Sequence, residues 1–343
     1  MLNNDLLIVK GNEVAALLAG RERELINQVR IAYEEHACGG SSLPLSTFLH
    51  FPDRPRDRII ALPAYLGGAC ESVGIKWVAS FPDNLTAGLD RASAVVILNS
   101  PQTGRPKVVL EGSVINAKRT AASAALAAQS LFTSGQIPRL GLIGCGLINF
   151  EIARFLTVLW PDFGDLVVYD LDLTRAEQFA RKCKDLFGGV ESEVALDVTT
   201  VLSRATIISL ATTALRPHIF DLSNCAPGSV ILHISLRDLA PQAILLVDNI
   251  VDDVDHLCRA QTSVHLTEQQ VGHRGFIRCT LADILRGTAP ARRDNNSLAV
   301  FSPFGLGILD IAVGQLVYES ALKESIGTII DSFMPTPWAL GPL

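Results

Sequence analysis

Residues 139 to 170 carry the densest chemistry in this chain. An apolar run, Leu140-Gly141-Leu142-Ile143, turns through Gly144-Cys145-Gly146 into a helical pattern of Leu147, Ile148, Ile152, Ala153, Phe155 and Leu156. A second apolar run, Leu166-Val167-Val168-Tyr169, ends on Asp170. This is the βαβ grammar of a dinucleotide site: the tight turn lets backbone approach a pyrophosphate, the helix N-terminus faces its charge, and the acid takes the ribose hydroxyls. Asp170 lies twenty-four residues after Gly146, close to the expected spacing of about 20. A carboxylate there repels a 2′-phosphate, so the expected cofactor is NAD rather than NADP. One departure stands out: Asn149 replaces the third glycine. The G-x-G alone would equally suit an ordinary glycine turn in an α/β sheet; the strand before it, the helix after it and the spaced acid raise the signal. Cys145 reads as a small packing residue rather than a nucleophile.

Three further charged residues could carry chemistry. Lys76 sits mid-strand between Ile75 and Trp77, pointing opposite to both. A lone lysine in an apolar strand is commonly a solvated outer face, but one face of this sheet must meet a substrate. Arg119 opens an alanine-rich helix in Lys118-Arg119-Thr120-Ala121-Ala122. A cation at a helix start runs against the dipole preference and is better explained by a bound anion, with the other of the Lys118/Arg119 pair solvated. Asp238 follows an apolar run in Ser235-Leu236-Arg237-Asp238, at the carboxyl end of a strand where α/β sites form. An N-cap role would explain it equally.

The elements that must position these residues fall into two groups. Residues 13–37 carry a helical period ending near Gly39-Gly40. Runs at 59–62, 72–78, 94–98 and 106–110 read as antiparallel strands, the last two joined through a hairpin at 99–104. A helix over 117–131 stops at Ser134-Gly135 with Pro138 beyond. After the glycine turn, Thr174 and Glu177 form a capping box for the next helix. Runs at 207–211, 230–234 and 244–247 read as parallel strands buried on both faces. Residues 292–296 read as a plain polar loop, and a last helical period (Ile308, Ile311, Ala312, Leu316, Val317) follows Gly305-Leu306-Gly307. The reading is therefore an α/β chain. A Rossmann dinucleotide-binding domain spans 131–312, and an antiparallel-sheet substrate and dimerisation domain spans 1–130, completed by the C-terminal helix within 313–343. The catalytic cleft is expected at the carboxyl ends of the parallel strands.

A chain of 343 residues has two domains as its prior. A net charge of −6 with no basic block excludes nucleic acid as the natural partner. No apolar run reaches the length of a membrane span, and Met1-Leu2-Asn3-Asn4-Asp5 does not open a signal peptide. Seven cysteines without a C-x-x-C pair or a Cys/His cluster read as free thiols in a reducing compartment. The expectation is a cytoplasmic protein with no metal site, no nucleic acid and no membrane among its partners.

The segments Gly74-Ile75-Lys76-Trp77, Thr103-Gly104-Arg105-Pro106, Lys118-Arg119-Thr120-Ala121-Ala122-Ser123-Ala124-Ala125-Leu126 and Gly144-Cys145-Gly146 resemble the ornithine cyclodeaminase/μ-crystallin family in order and spacing over nearly the whole chain. Within it, 58–63, 91–94, 110–113, Asp252-Asp253, 262–266 and 301–307 resemble the members that make 2,3-diaminopropionate for siderophores and some peptide antibiotics. The resemblance implies oxidative cleavage of a secondary amine joining glutamate to diaminopropionate. It implies Lys76 and Arg119 as carboxylate binders, Lys76 also in the catalytic group, and Asp238 as the acid/base that activates water. His50, Arg237 and Arg105 are weaker candidates for the remaining carboxylates, and His50 stands where the family's arginine is expected. Cofactor contacts are implied at Gly144, Gly146, Leu147, Ile148, Asp170, Thr212, Ser235, Phe304 and Gly305, with Ile148 where many relatives have glutamine. A homodimer is implied, taking a small amino-acid substrate. An ornithine or lysine cyclodeaminase or a ketimine reductase of the same family is the competing activity. A non-catalytic dinucleotide- and ligand-binding protein is the competing class, and Lys76, Arg119 and Asp238 together argue against it.

Overall fold

A computed structural model describes residues 4–188 and 190–336; the first three residues of the N-terminal segment read above, and 337–343 of the C-terminal one, lie outside them. The chain divides into two compact units, Met1–Arg119 with Leu306–Leu343, and Thr120–Gly305. The joins fall earlier than the 130/131 and 312/313 read from the sequence. The helix Gly307–Glu324 belongs to the first unit from its first turn, because Gly307 lies against Leu62: a Cβ there would be 3.1 Å from Leu62 O.

The second unit is built on a parallel sheet. Its strands run Glu191–Val194, Asp165–Tyr169, Leu140–Ile143, Ile207–Leu210, Val230–His233, Ala299–Ser302, Asp248–Val251, Ile277–Thr280 across the sheet, every pair parallel. Five of these four-residue strands (Leu140–Ile143, Ile207–Leu210, Val230–His233, Ala299–Ser302 and Asp248–Val251) are buried at every position, as expected of strands covered on both faces. The strand order reverses direction between Leu140–Ile143 and Ile207–Leu210, so a ligand site belongs at the carboxyl ends of these two.

The first unit carries a mixed sheet. Its order is Thr328–Ile330, Leu6–Val9, Pro106–Glu111, Ala92–Asn99, Ser72–Ser80, Arg54–Leu66, Ser41–Ser42, with Thr47–Phe51 hairpinned onto Arg54–Leu66. Pairing is antiparallel except between Leu6–Val9 and Pro106–Glu111. Leu62, Lys76, Val96 and Leu110 are register partners on one face, and all four are buried beneath the helix Gly307–Glu324. That helix is buried on every side through its first two turns. The opposite face carries Leu49, Ala61, Tyr65, Trp77 and Val95, and Trp77 remains 43% exposed. The alternation of this strand is thus inverted relative to simple polarity: the lysine is inside and the tryptophan outside.

Four local readings are corrected. The period over 13–37 is two helices, Gly11–Leu17 and Glu22–Ala37, interrupted at Gly20 with φ +71. The run at 244–247 is not a strand. Pro241 at a helix N-terminus starts the short helix Pro241–Ile244, and the strand is Asp248–Val251, whose polar Asp248 and Asn249 are buried. Asn249 Nδ2 donates to Ile244 O at 2.7 Å, which lets an amide occupy the core. The Thr174/Glu177 capping box is replaced by Asp172, whose carboxylate accepts the Arg175 N–H at 3.2 Å. The loop at 292–296 is not plain: the Arg292 guanidinium is buried and donates to Leu131 O at 2.6 Å and to Ser297 O. Among the described residues no helix is long and apolar enough to cross a membrane.

Candidate functional site

The glycine turn follows the strand Leu140–Ile143 at the reversal point of the parallel sheet. Gly144 has φ +95, and a Cβ there would meet Ala211 O at 2.4 Å, so only glycine fits. Gly146 differs: a Cβ there would meet nothing within 4 Å. The protein itself does not require this glycine; the space beside it suits a close-lying ligand. Gly146 caps the helix Leu147–Leu159 without a side-chain hydrogen bond, leaving its first N–H groups available to a pyrophosphate. Asn149 is fully buried and donates through Nδ2 to Ile143 O at 2.9 Å and Gly144 O at 2.7 Å. It ties the turn that a third glycine would only have made room for. Asp170 Oδ2 accepts the Cys145 N–H at 2.8 Å and Oδ1 the Asp172 N–H at 3.0 Å. Each oxygen keeps a further lone pair for a ribose hydroxyl. Burial, with Asp170 second, pushes the Cys145 thiol up to about 12, which suits packing and not nucleophilic attack. These residues fit a bound NAD.

Within the first unit, Lys76 and Arg119 are brought together by a residue absent from the sequence reading. Lys76 Nζ donates to Asp310 Oδ2 at 2.6 Å and to Asn116 Oδ1 at 2.9 Å. Arg119 Nε donates to Asp310 Oδ1 at 2.9 Å and Nη2 to Asn116 Oδ1 at 2.7 Å. Asp310 is fully buried in the first turn of Gly307–Glu324. Two cations and one carboxylate leave one positive charge in excess in a buried site. Burial, then repulsion from Arg119, lowers the Lys76 ammonium to about 8 against the pull of Asp310. Asn116 stands three residues before Arg119 on the same helix, a spacing that could have pointed to it.

At the carboxyl ends of Ile207–Leu210 and Val230–His233 lies a third cluster. Asp238 is fully buried. Its Oδ1 is 3.0 Å from His218 Nε2 and accepts the Thr212 hydroxyl; its Oδ2 accepts the Ser235 hydroxyl. The Asp238 N–H donates to His233 Nε2 at 3.1 Å. The same His233 Nε2 lies 3.4 Å from Asp238 Oδ2, and Nδ1 faces Ser302 Oγ at 3.2 Å. Burial by itself would raise the Asp238 carboxyl, but the hydrogen bonds, led by that from His218, hold it well below the usual carboxylate range.

The other candidates are more dispersed. Thr212 and Ser235 turn their hydroxyls to Asp238. The Phe304 and Gly305 N–H groups donate to the buried Asp252 carboxylate at 2.9 and 2.8 Å. Burial raises that carboxyl to about 6 against these bonds. Leu147 is exposed and Ile148 half-buried at the start of their helix. Arg237 braces a neighbouring turn, donating from Nε to Gln261 O at 3.0 Å and from Nη2 to Ala260 O at 2.6 Å. His50 is exposed and stacked on Phe48, on the sheet face that carries Lys76 but four positions further along Arg54–Leu66. Arg105 donates to Asn4 Oδ1 at 2.7 Å beside the hairpin.

A model of the ornithine cyclodeaminase/mu-crystallin family matches residues 8–325. The chain is 26% identical over 338 residues to N-((2S)-2-amino-2-carboxyethyl)-L-glutamate dehydrogenase of Staphylococcus aureus, covering 97% of this chain and 100% of that protein. It is 28% identical over 338 residues to alanine dehydrogenase of Archaeoglobus fulgidus, covering 95% and 98%. Among solved structures it is similar to Thermococcus litoralis Δ1-pyrroline-2-carboxylate reductase in complex with NADH and L-proline, at 25% identity and a TM-score of 0.87, over 94% of this chain and 99% of that one. It is likewise similar to an archaeal alanine dehydrogenase dimer with bound NAD, at 26% identity and a TM-score of 0.85, over 95% and 99%. The chain belongs to the ornithine cyclodeaminase/mu-crystallin family.

Proposed function

We propose that this chain is an NAD-dependent oxidoreductase acting on the CH–NH bond of an amino-acid substrate. Its substrate in this reading is N-(2-amino-2-carboxyethyl)-L-glutamate, cleaved to 2-oxoglutarate, L-2,3-diaminopropionate and NADH. The observation that carries the proposal is the charge count at Lys76, Arg119 and Asp310: buried, and one positive charge in excess. Lys76 has a third N–H and Arg119 three more beyond those committed to Asp310 and Asn116. An unbalanced buried cation is costly until an anion joins it. A substrate carboxylate is that anion, and the two cations fix the adjoining α-carbon.

Bound NAD supplies the two-electron acceptor for the hydrogen on that carbon. The chain's residues then manage the protons. The amine loses its N–H proton as the C=N bond forms. Water adds to the carbon, and the carbinolamine collapses to the oxo acid and the free amine through a proton carrier in the cluster around Asp238. The substrate choice draws support from the resemblance to the Staphylococcus aureus dehydrogenase over whole chains. A second reading, oxidation of an amino acid with a single carboxylate, draws on a specific observation. Arg237 and Arg105 are committed elsewhere, and a 28% identical relative is an alanine dehydrogenase. The purified protein, given NAD and the conjugate, should release NADH, 2-oxoglutarate and 2,3-diaminopropionate in equal amounts. An inert conjugate alongside turnover of alanine, ornithine, lysine or proline would select the second reading.

The assembly proposed is a homodimer through the outer face of the first unit's sheet. Leu49, Tyr65, Trp77 and Val95 are exposed there, and large apolar side chains gathered on one exposed face suit an interaction surface. All seven cysteines are free thiols, which accords with a cytoplasmic location.

A further inference from the structure

We propose that His218 is the group that exchanges protons with substrate and water, and that Asp238 is a positioning residue that holds the His218 ring by Nε2. This rests on the oxidoreductase reading above, which requires a proton carrier. The geometry separates the two residues by access. Asp238 has no exposed surface, whereas the His218 side chain is 39% exposed. The Asp238 carboxylate is enclosed by His218 Nε2 at 3.0 Å and by the hydroxyls of Thr212 and Ser235. Its main-chain carbonyl accepts the N–H groups of His218 and Ile219, both at 2.9 Å. A carboxylate that no water can touch, filled with donors on both oxygens, cannot take a proton from water directly.

His218 is built for that exchange. It stands on the segment following Ile207–Leu210, at the carboxyl edge of the sheet where the glycine turn also opens. With Nε2–H given to Asp238, the proton-free Nδ1 makes no hydrogen bond among the described residues. A buried carboxylate that fixes one ring nitrogen, leaving the other as base, is the arrangement by which histidine is oriented and its charged form stabilised. As water oxygen bonds to the imine carbon, its proton passes to Nδ1. The imidazolium, balanced by Asp238, gives that proton to the nitrogen to complete the carbinolamine; Nδ1 then takes the hydroxyl proton and delivers it to the nitrogen as the carbon–nitrogen bond breaks and the carbonyl forms. No other acid or base is consumed in these two steps.

Three measurements test this. His218→Gln should lower kcat by about 10²-fold, the ordinary worth of a placed acid/base, while leaving the NADH dissociation constant and the substrate KM within about threefold. His218→Gly should regain turnover in proportion to added unprotonated imidazole, a response that a merely structural histidine would not give. Nitrogen-15 spectra of the wild-type protein at alkaline pH should place the neutral His218 proton on Nε2. Near-normal kcat in His218→Gln, or His218→Gly indifferent to imidazole, overturns the assignment, as does a proton on Nδ1. Should the wild type oxidise a different amino acid from the conjugate, the substrate choice fails while the variants are judged on that amino acid. Should it oxidise none, the oxidoreductase reading fails and the tautomer alone decides whether Asp238 holds the ring.

Discussion

Burial, Arg119 and Asp310 act together on the Lys76 ammonium, with burial the strongest, and the result is an ionisation at about 8. Only the charged form can hold a carboxylate. The efficiency kcat/KM should therefore be level at lower pH and decline as pH rises through about 8. At saturating substrate the bound carboxylate restores the proton, so kcat should persist to higher pH. A kcat/KM profile flat to pH 10 would contradict the assignment. For folding, the sign is opposite: the native value lies below the unfolded lysine value of about 10.4, so the cost of the buried charge diminishes as pH rises between the two. Arg119→Ala should weaken substrate binding by about 2–5 kcal/mol, read as KM or Kd, because it removes a buried charge-assisted contact. Asp310→Asn should act on the fold itself, lowering stability by about 3–5 kcal/mol in denaturant titration, since it leaves two buried cations without their carboxylate. Lys76 and Arg119 were legible in the sequence because their types conflict with their surroundings. Asp310 was not, because it meets them across 234 and 191 residues of chain, and its helix reads simply as apolar.

The glycine turn separates two roles that the motif presents as one. Gly144→Ala adds a Cβ 2.4 Å from Ala211 O at φ +95, so the variant should fold poorly and melt earlier. Gly146→Ala adds a Cβ into open space and should fold normally. It should weaken NAD binding by about tenfold or more, roughly 1.4 kcal/mol, by keeping the pyrophosphate off the backbone. A Gly146→Ala protein with unchanged NAD affinity would remove the turn from the cofactor site. Asp170→Ala should erode the preference for NAD over NADP. At this scale the strand–turn–helix pattern was readable because the strands Leu140–Ile143, Asp165–Tyr169, Ile207–Leu210 and Val230–His233 are mostly apolar. The misread run at 244–247 fails for a physical reason: a buried four-residue strand and an apolar helix end look alike by hydropathy although Leu246 is 82% exposed, and Pro241 was the sign that decided between them. Asp248–Val251 hid behind its own buried Asp248 and Asn249, the first of them answered by a distant residue, Arg278, at 2.6 Å.

Light scattering at micromolar concentration should show a dimer, and Trp77→Glu on the outer sheet face should yield a monomer with its own fold intact; a monomeric wild type would discard the interface. The two-part architecture was legible from the order of strand and helix patterns. The points of crossing were not, because Leu306 and the helix after it continue an apolar run without any break in composition. The edge strand Thr328–Ile330 pairs with Leu6–Val9, and Asp310 balances Lys76, so the first unit is assembled from both extremes of the sequence. During synthesis the residues of the second unit emerge as one uninterrupted stretch, while the opening segment waits roughly 10–40 s for its closing helix at about 5–20 residues per second. In that interval its sheet lacks its cover and its lysine lacks its counter-charge. A chain truncated after Gly305 should accordingly show protease protection across Thr120–Gly305 and cleavage throughout the residues before it. Exposure on the ribosome, rather than final stability, then sets the demand for chaperones.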